Sequence, residues 1–166
     1  MVLDCNSRKY SGLAEKIAAS YGAEVCPLGD TIRTGENRTL FSGTPYVLVT
    51  DFSTAFSSKF IKNIRKIRFT GSRILYVVFA CSSYSGVKNS VEVSKSSVYE
   101  KLADLLLRNS GLVMFGYDCI HTGGDEAELL SSVSQLTSYI RDMRPLDWNG
   151  SFPKRAEKKV CAKEKT

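Results

Sequence analysis

The run RILYVVFAC at 73–81 is apolar at consecutive positions beyond its first Arg, with no alternation of polar and apolar residues. A strand of that kind must be covered on both faces, as at the centre of a parallel sheet and unlike an antiparallel sheet with one wet side. Parallel neighbours need crossover connections, so the rest of the chain is expected to alternate strands with helices.

The periodicity elsewhere agrees with that demand. VLDC at 2–5 reads as a short strand, and SGLAEKIAASYG places Leu13, Ile17, Ala18 and Tyr21 on one helical face, with Ser11 as N-cap and Gly22 as the stop. AEVCPL at 23–28 reads as a second strand, while the following GDTIRTGENRTLFSG holds too many Gly, Thr and Asn residues for a helix and reads as a connection. PYVLVTD at 45–51 is a buried strand. From Ser57, SKFIKNIRKIRF is expected to form one helix, with Phe60, Ile61, Ile64 and Ile67 inward and Lys59, Lys62, Arg65 and Lys66 outward. After 73–81 comes a polar loop, SSYSGVKNS, then a helix from about Ser94 to Asn109 that buries Val98, Leu102, Leu105 and Leu106. LVMFGYDCI at 112–120 is the fifth strand, and a last helix runs from Asp125 to about Met143.

Five strands with mostly helical connections define an α/β, three-layer sandwich, and right-handed crossovers favour the strand order 2-1-3-4-5. Such sheets bind ligands beyond the carboxyl ends of their strands, near the switch point between strands 1 and 3. That selects three loops: 6–12, 51–57 and 81–90. A length of 166 residues suits one domain over 1–143, leaving 144–166 as a C-terminal tail. Residues 151–166 hold Lys154, Arg155, Lys158, Lys159, Lys163 and Lys165 against only Glu157 and Glu164, so much of the net charge of +6 sits in that tail.

Several classes are disfavoured by what the sequence lacks. No apolar run reaches the roughly 18 residues of a membrane span, and MVLDCNSRKY has no signal-peptide core, so a cytoplasmic protein without membrane contact is expected. The five cysteines, Cys5, Cys26, Cys81, Cys119 and Cys161, are scattered and include no C-x-x-C pair, and His121 is the sole histidine. Neither a disulfide framework nor a zinc or multi-histidine site is expected.

The first loop offers Ser7, Arg8, Lys9, Tyr10, Ser11 and Gly12 between a strand and a helix start, which are parts that suit a phosphate. The second offers Asp51, Phe52, Ser53 and Thr54, with Phe56 beyond, and the third offers Cys81, Ser82, Ser83, Tyr84, Ser85 and Gly86. Hydroxyls, rings and a glycine at one sheet edge suit a planar, polar-edged ligand. His121 and Trp148 read as structural residues.

These segments resemble a family. SGLAEKIA at 11–18 is similar to the T-G-x-T-(E/K)-K-I-A phosphate loop and helix of flavodoxins, and the likeness continues through TPYVLVTDFSTA, RILYVVFACSSYSG and GYDCIHTGGDEAELL, over about residues 1–142. Within the flavodoxin-like superfamily the chain most resembles the NrdI proteins that serve class Ib ribonucleotide reductase. The resemblance implies FMN, with its phosphate at 7–12 and its ring between 51–56 and 81–86. It also implies transfer of electrons, or delivery of an oxidant, to a redox partner such as the metal-bearing small subunit of that reductase. The chain departs from the pattern at Lys9 and Tyr10, at Ala14, at Asp51-Phe52 and at Cys81-Ser82.

Three rivals share the architecture. A receiver domain would use Asp51 as phosphoacceptor with Asp4 at a magnesium site, but the fifth strand lacks the required Lys. A low-molecular-weight tyrosine phosphatase would use Cys5, but its loop arginine is missing and Arg8 stands at the wrong offset. A cofactor-free interaction module would instead bind an acidic partner or nucleic acid through the basic helix and tail. For the flavin reading itself, nucleic acid is disfavoured as a partner.

Overall fold

A computed structural model describes residues 1–5, 10, 12–82 and 98–144. Seven strands and six helices are assigned among them. They are β1 (Val2–Asp4), α1 (Leu13–Tyr21), β2 (Val25–Pro27), α2 (Gly29–Thr34), β3 (Arg38–Ser42), β4 (Tyr46–Thr50), α3 (Phe52–Ala55), α4 (Ser58–Ile64), β5 (Ile67–Gly71), β6 (Ile74–Cys81), α5 (Val98–Ser110), β7 (Val113–His121) and α6 (Glu126–Arg141).

The chain is α/β, with a five-stranded parallel sheet flanked by helices. Strand β6, the apolar run, sits between β4 and β7 and is buried from Leu75 to Cys81, as its composition demands. One face of the sheet packs Val2, Val47, Val49, Tyr76 and Val78 against Leu13 and Ile17 of α1 and Leu129, Val133 and Leu136 of α6. The other packs Leu3, Leu48, Leu75, Val77 and Phe79 against Ile32 of α2, Phe60 and Ile64 of α4, and Leu102 and Leu106 of α5. Alternate side chains of one strand thus feed two cores, which is why two-sided apolarity was the strongest sequence signal.

The sheet reads β2-β1-β4-β6-β7, so the expected 2-1-3-4-5 numbering does not appear. The reason is a second, two-stranded parallel sheet, β3 with β5, formed by segments expected to be a connection and the end of a helix. Helix α4 stops at Ile64, and Ile67, expected on its inner face, instead opens β5 and is buried from there. Within this pair Thr39 and Phe41 share a face with Arg68 and Thr70, while Leu40 and Ile67 point into the core. Tyr46 ties the pair to the main sheet by donating its hydroxyl to the Thr70 carbonyl at 2.7 Å. Gly71 closes β5 at φ +83, where a side chain would collide with the Ser42 carbonyl oxygen.

Local caps account for most element ends. The N-cap of α1 falls on Gly12 and not on Ser11; Gly12 is left-handed at φ 68 and makes no side-chain cap bond. Gly22 ends the helix as expected, its amide bonded to the Ala18 carbonyl. Helix α2 forms where only a connection was expected. It is one short piece, stopped by left-handed Gly35 and tied to α4 by the Asn63 amide, which donates to the Ile32 carbonyl. Ser57 caps α4 by accepting from the Phe60 amide at 3.2 Å, and Asp125 caps α6 by accepting from that of Ala127 at 3.1 Å. On α5, Leu102 and Leu106 are buried and Leu105 half-buried, whereas 94–97 and the side chain of Val98 fall outside the described residues. The tail from 145 also falls outside, with Trp148 and Cys161. Among the described residues, no helix is long and apolar enough to cross a membrane.

Candidate functional site

The carboxyl ends of β1, β4 and β6 bring Cys5, Asp51 and Cys81 to one edge of the sheet, since these strands are adjacent and parallel. Asp51 organises that edge. It follows β4 directly, and its Oδ1 accepts from the Thr54 amide at 2.8 Å, which caps α3, and from Ser53 Oγ at 3.1 Å. Its Oδ2 accepts from the Tyr10 hydroxyl at 2.7 Å, so the loops after β1 and β4 are joined by a buried charge-assisted bond. Asp51 is 8% exposed and Tyr10 5%. Burial alone would raise the Asp51 pKa, but hydrogen bonds from Thr54, Tyr10 and Ser53 outweigh it and hold the carboxyl below its ordinary range. The same burial, with the bond to Asp51 and its charge, pushes the Tyr10 phenol up, so it stays a donor.

A carboxylate so occupied is a structural cap and not an exposed phosphoacceptor, which removes the main attraction of the receiver-domain reading. Cys5, at 8% exposure, is equally unsuited to nucleophilic work: burial first, then Asp4 and Asp51, push its thiol up to about 12. It is held as a small apolar residue, with its amide on the Val49 carbonyl at 3.1 Å.

Phe52 does not stand open at the edge. Its ring stacks on Phe79 of β6 with centroids 4.3 Å apart and planes 5° from parallel, and Phe56 lies 6.2 Å away in the same orientation. Tyr99 of α5 continues the cluster 5.6 Å from Phe79 at 58°, and Tyr117 of β7 stacks on Tyr99 at 3.8 Å. Phe56, the outer ring, is 38% exposed and is the described ring of this cluster most open to solvent. Aromatic faces offered by the second loop are thus mostly spent on the core.

Beside Asp51 lies an open cavity of about 290 Å³, lined by Cys5, Gly29, Ile32, Arg33, Ser53, Thr54, Ser57 and Lys59. Sequence reasoning named Ser53 and Thr54 here but missed Gly29, Arg33 and Lys59. The signal was the crossover after β2, which returns α2 to the same edge. The hydroxyl protons of Ser53 and Ser57 are donated internally, to Asp51 and to the Thr54 carbonyl, so the cationic wall comes from Lys59 and from Arg33, the latter paired with Asp30 at 3.0 Å.

On the first loop, Gly12 is left-handed, and a side chain there would meet Glu15 Oε2 at 3.5 Å and Lys16 Nζ at 4.0 Å. Ser7, Arg8, Lys9 and Ser11 fall outside the described residues, as do Ser83, Tyr84, Ser85 and Gly86. Cys81 is buried and Ser82 exposed. The end of β7 closes over them: the Thr122 amide donates to the Cys81 carbonyl at 2.8 Å, and the His121 ring packs against Gly123 and Gly124. Of the sixteen residues expected to bind cofactor, the edge therefore brings together Tyr10, Gly12, Asp51, Ser53, Thr54, Cys81 and Ser82, with Phe52 turned into the core. Among the described residues no group of three or more His, Cys, Asp or Glu side chains could hold a metal ion. No protein-family model, curated protein or solved structure matches the chain.

Proposed function

We propose that the chain is an FMN-binding, flavodoxin-like redox protein, nearest to the NrdI type, that passes electrons or an oxidant to the metal subunit of a class Ib ribonucleotide reductase in the cytoplasm. The observation that carries the reading is the bond between Tyr10 and Asp51, which locks the loops after β1 and β4 together at the sheet's switch point. With β3 and β5 set apart, the main-sheet strands succeed one another as second, first, third, fourth and fifth in the chain, which supports flavodoxin-like wiring.

The residues present fit a phosphate-bearing flavin. Gly12 has the Lys16 ammonium nearby, with the Glu15 carboxylate closer still, α1 starts directly behind it, and the Asp51 charge is already spread over internal donors. Ser7 to Gly12 would hold the phosphate, and Asp51 to Thr54 with Cys81 to Gly86 would flank the ring. The bound ring would supply one- and two-electron chemistry. The chain's own part is to fix the loops, through the cap on α3, and to exclude water, through the aromatic cluster behind Phe52.

The inward packing of Tyr10 and Phe52 favours a second reading, a cofactor-free interaction module of the same fold. An absorption spectrum of the purified chain, before and after mixing with excess FMN and desalting, separates the two. The flavin reading expects bands near roughly 370 and 450 nm that are lost in Gly12→Glu. A chain that stays colourless after reconstitution refutes it in favour of the module.

A further inference from the structure

From Ser57 to Gly71 the chain carries Lys59, Lys62, Arg65, Lys66 and Arg68 and no acidic residue. All five are exposed. Among the described residues none of Lys59, Lys62, Lys66 and Arg68 has an ion pair, and Arg65 is bonded to the neutral Asn109. Helix α2 lies against α4, and Lys66 Nζ comes within 3.1 Å of where a Gly35 side chain would begin; at the α2 end Arg33 is paired with the exposed Asp30 at 3.0 Å, so the unpaired charge of this surface is that of α4 and β5. The surface starts at the cavity, whose wall includes Arg33 and Lys59, and runs down α4 to the β3–β5 pair. There Arg68 shares the outward face with Phe41, which is 67% exposed.

A predominantly positive field beside an exposed aromatic has the make-up of a protein interface: a ring to be covered, arginine beside it, and charge that selects a partner of opposite sign. Single-stranded nucleic acid would call for successive rings on which bases stack, and among the described residues the outward face of the β3–β5 pair offers Phe41 as its one ring. We propose that the face from Arg33 and Lys59 to Arg68 and Phe41 docks an acidic protein. Because its upper end is the rim of the cavity beside Asp51, the partner's edge covers the candidate site. This deepens the redox reading and rests on it only for the purpose of the docking, since the surface exists whether or not flavin binds.

The test measures binding of the full chain to a poly(Glu,Tyr) copolymer by fluorescence anisotropy at low and high salt, with FMN uptake recorded separately on the same preparations. Lys59→Glu/Lys62→Glu should weaken binding at least about tenfold at low salt, and high salt should weaken the parent chain similarly. Lys101→Glu/Arg108→Glu on α5, with the same net charge, should stay within about twofold, and Phe41→Ala should lose about threefold. Circular dichroism establishes that each variant is folded. Equal losses from the two charge pairs would overturn the proposal, since net charge alone would then explain binding. Tighter binding of a twenty-residue oligothymidine than of the copolymer, lost in the same α4 variant, would overturn it in favour of nucleic acid. Failure to take up FMN with docking intact would sink the redox reading alone.

Discussion

Tyr10→Phe removes one oxygen atom and leaves the buried ring in place. What is lost is the 2.7 Å bond to Asp51 Oδ2, while the Oδ1 bonds from the Thr54 amide and Ser53 Oγ remain inside a site 8% exposed. A hydrogen bond to a charged buried group is worth about 1.5–3 kcal/mol, so the variant should be destabilised by about 2 kcal/mol at pH 7. With a urea slope of about 2 kcal/mol/M, the midpoint should fall by about 1 M with the slope unchanged. The pH dependence identifies the partner. Asp51 is held below its ordinary pKa, so its contribution is complete above the unfolded-state value of about 3.9 and is lost as pH falls through the folded value. The gap between parent and variant should therefore shrink on going from pH 7 to pH 3. Urea titrations followed by circular dichroism at the two pH values measure it. An equal gap at both, or one below about 0.5 kcal/mol at pH 7, would refute the assignment of Asp51 as the ionised anchor of this edge.

Three further outcomes are expected. Gly71→Ala combines positive φ with a collision against the Ser42 carbonyl and should cost about 3 kcal/mol, read as a melting temperature lower by about 6–12 °C. Asp118 has its pKa raised to about 6 by burial, against the opposing bond from the Cys119 amide, so the folded state takes up protons and stability falls as pH rises from about 4 to 6. Asp118→Asn should therefore add about 1–3 kcal/mol at pH 7 and almost nothing at pH 4, as denaturation at both will tell. Cys5, with its thiol pushed up to about 12, should resist a thiol-labelling disulfide reagent at pH 8 in the folded chain and react once urea is added.

The sequence spoke clearly wherever one physical demand dominated. Residues 73–81 could only be a two-sided strand, and α1, β4, β7 and α6 fell within a few residues of their expected places. It misled where two periodicities overlapped. Phe60, Ile61, Ile64 and Ile67 continue a helical face, yet Ile67 and Phe69 also alternate with Arg68 and Thr70 as in a strand, and pairing with β3 across 29 positions decided the matter. Likewise RTLFS looked like a loop because its neighbours are Gly, Asn and Thr, and only its distant partner makes it a strand. At the candidate site the loops were legible from fold logic, but the direction of side chains was not. Asp51 looked like a charge aimed at a ligand, although an acid followed by Phe-Ser-Thr at the head of a short helix is also an N-cap signature. Phe52 looked exposed, and its partner Phe79 is remote in sequence.

The β3–β5 pair has a consequence for how the molecule keeps its own company. Among the described residues neither strand pairs with another on its far side, so each presents an edge on which a second chain could add a strand, with Phe41 as an adhesive. Lys66 and Arg68 border that edge as gatekeepers, repelling like copies. High salt or a neutralising polyanion suspends the repulsion, so this protein should be most soluble in dilute buffer and should self-associate under the crowded ionic conditions that keep many proteins apart.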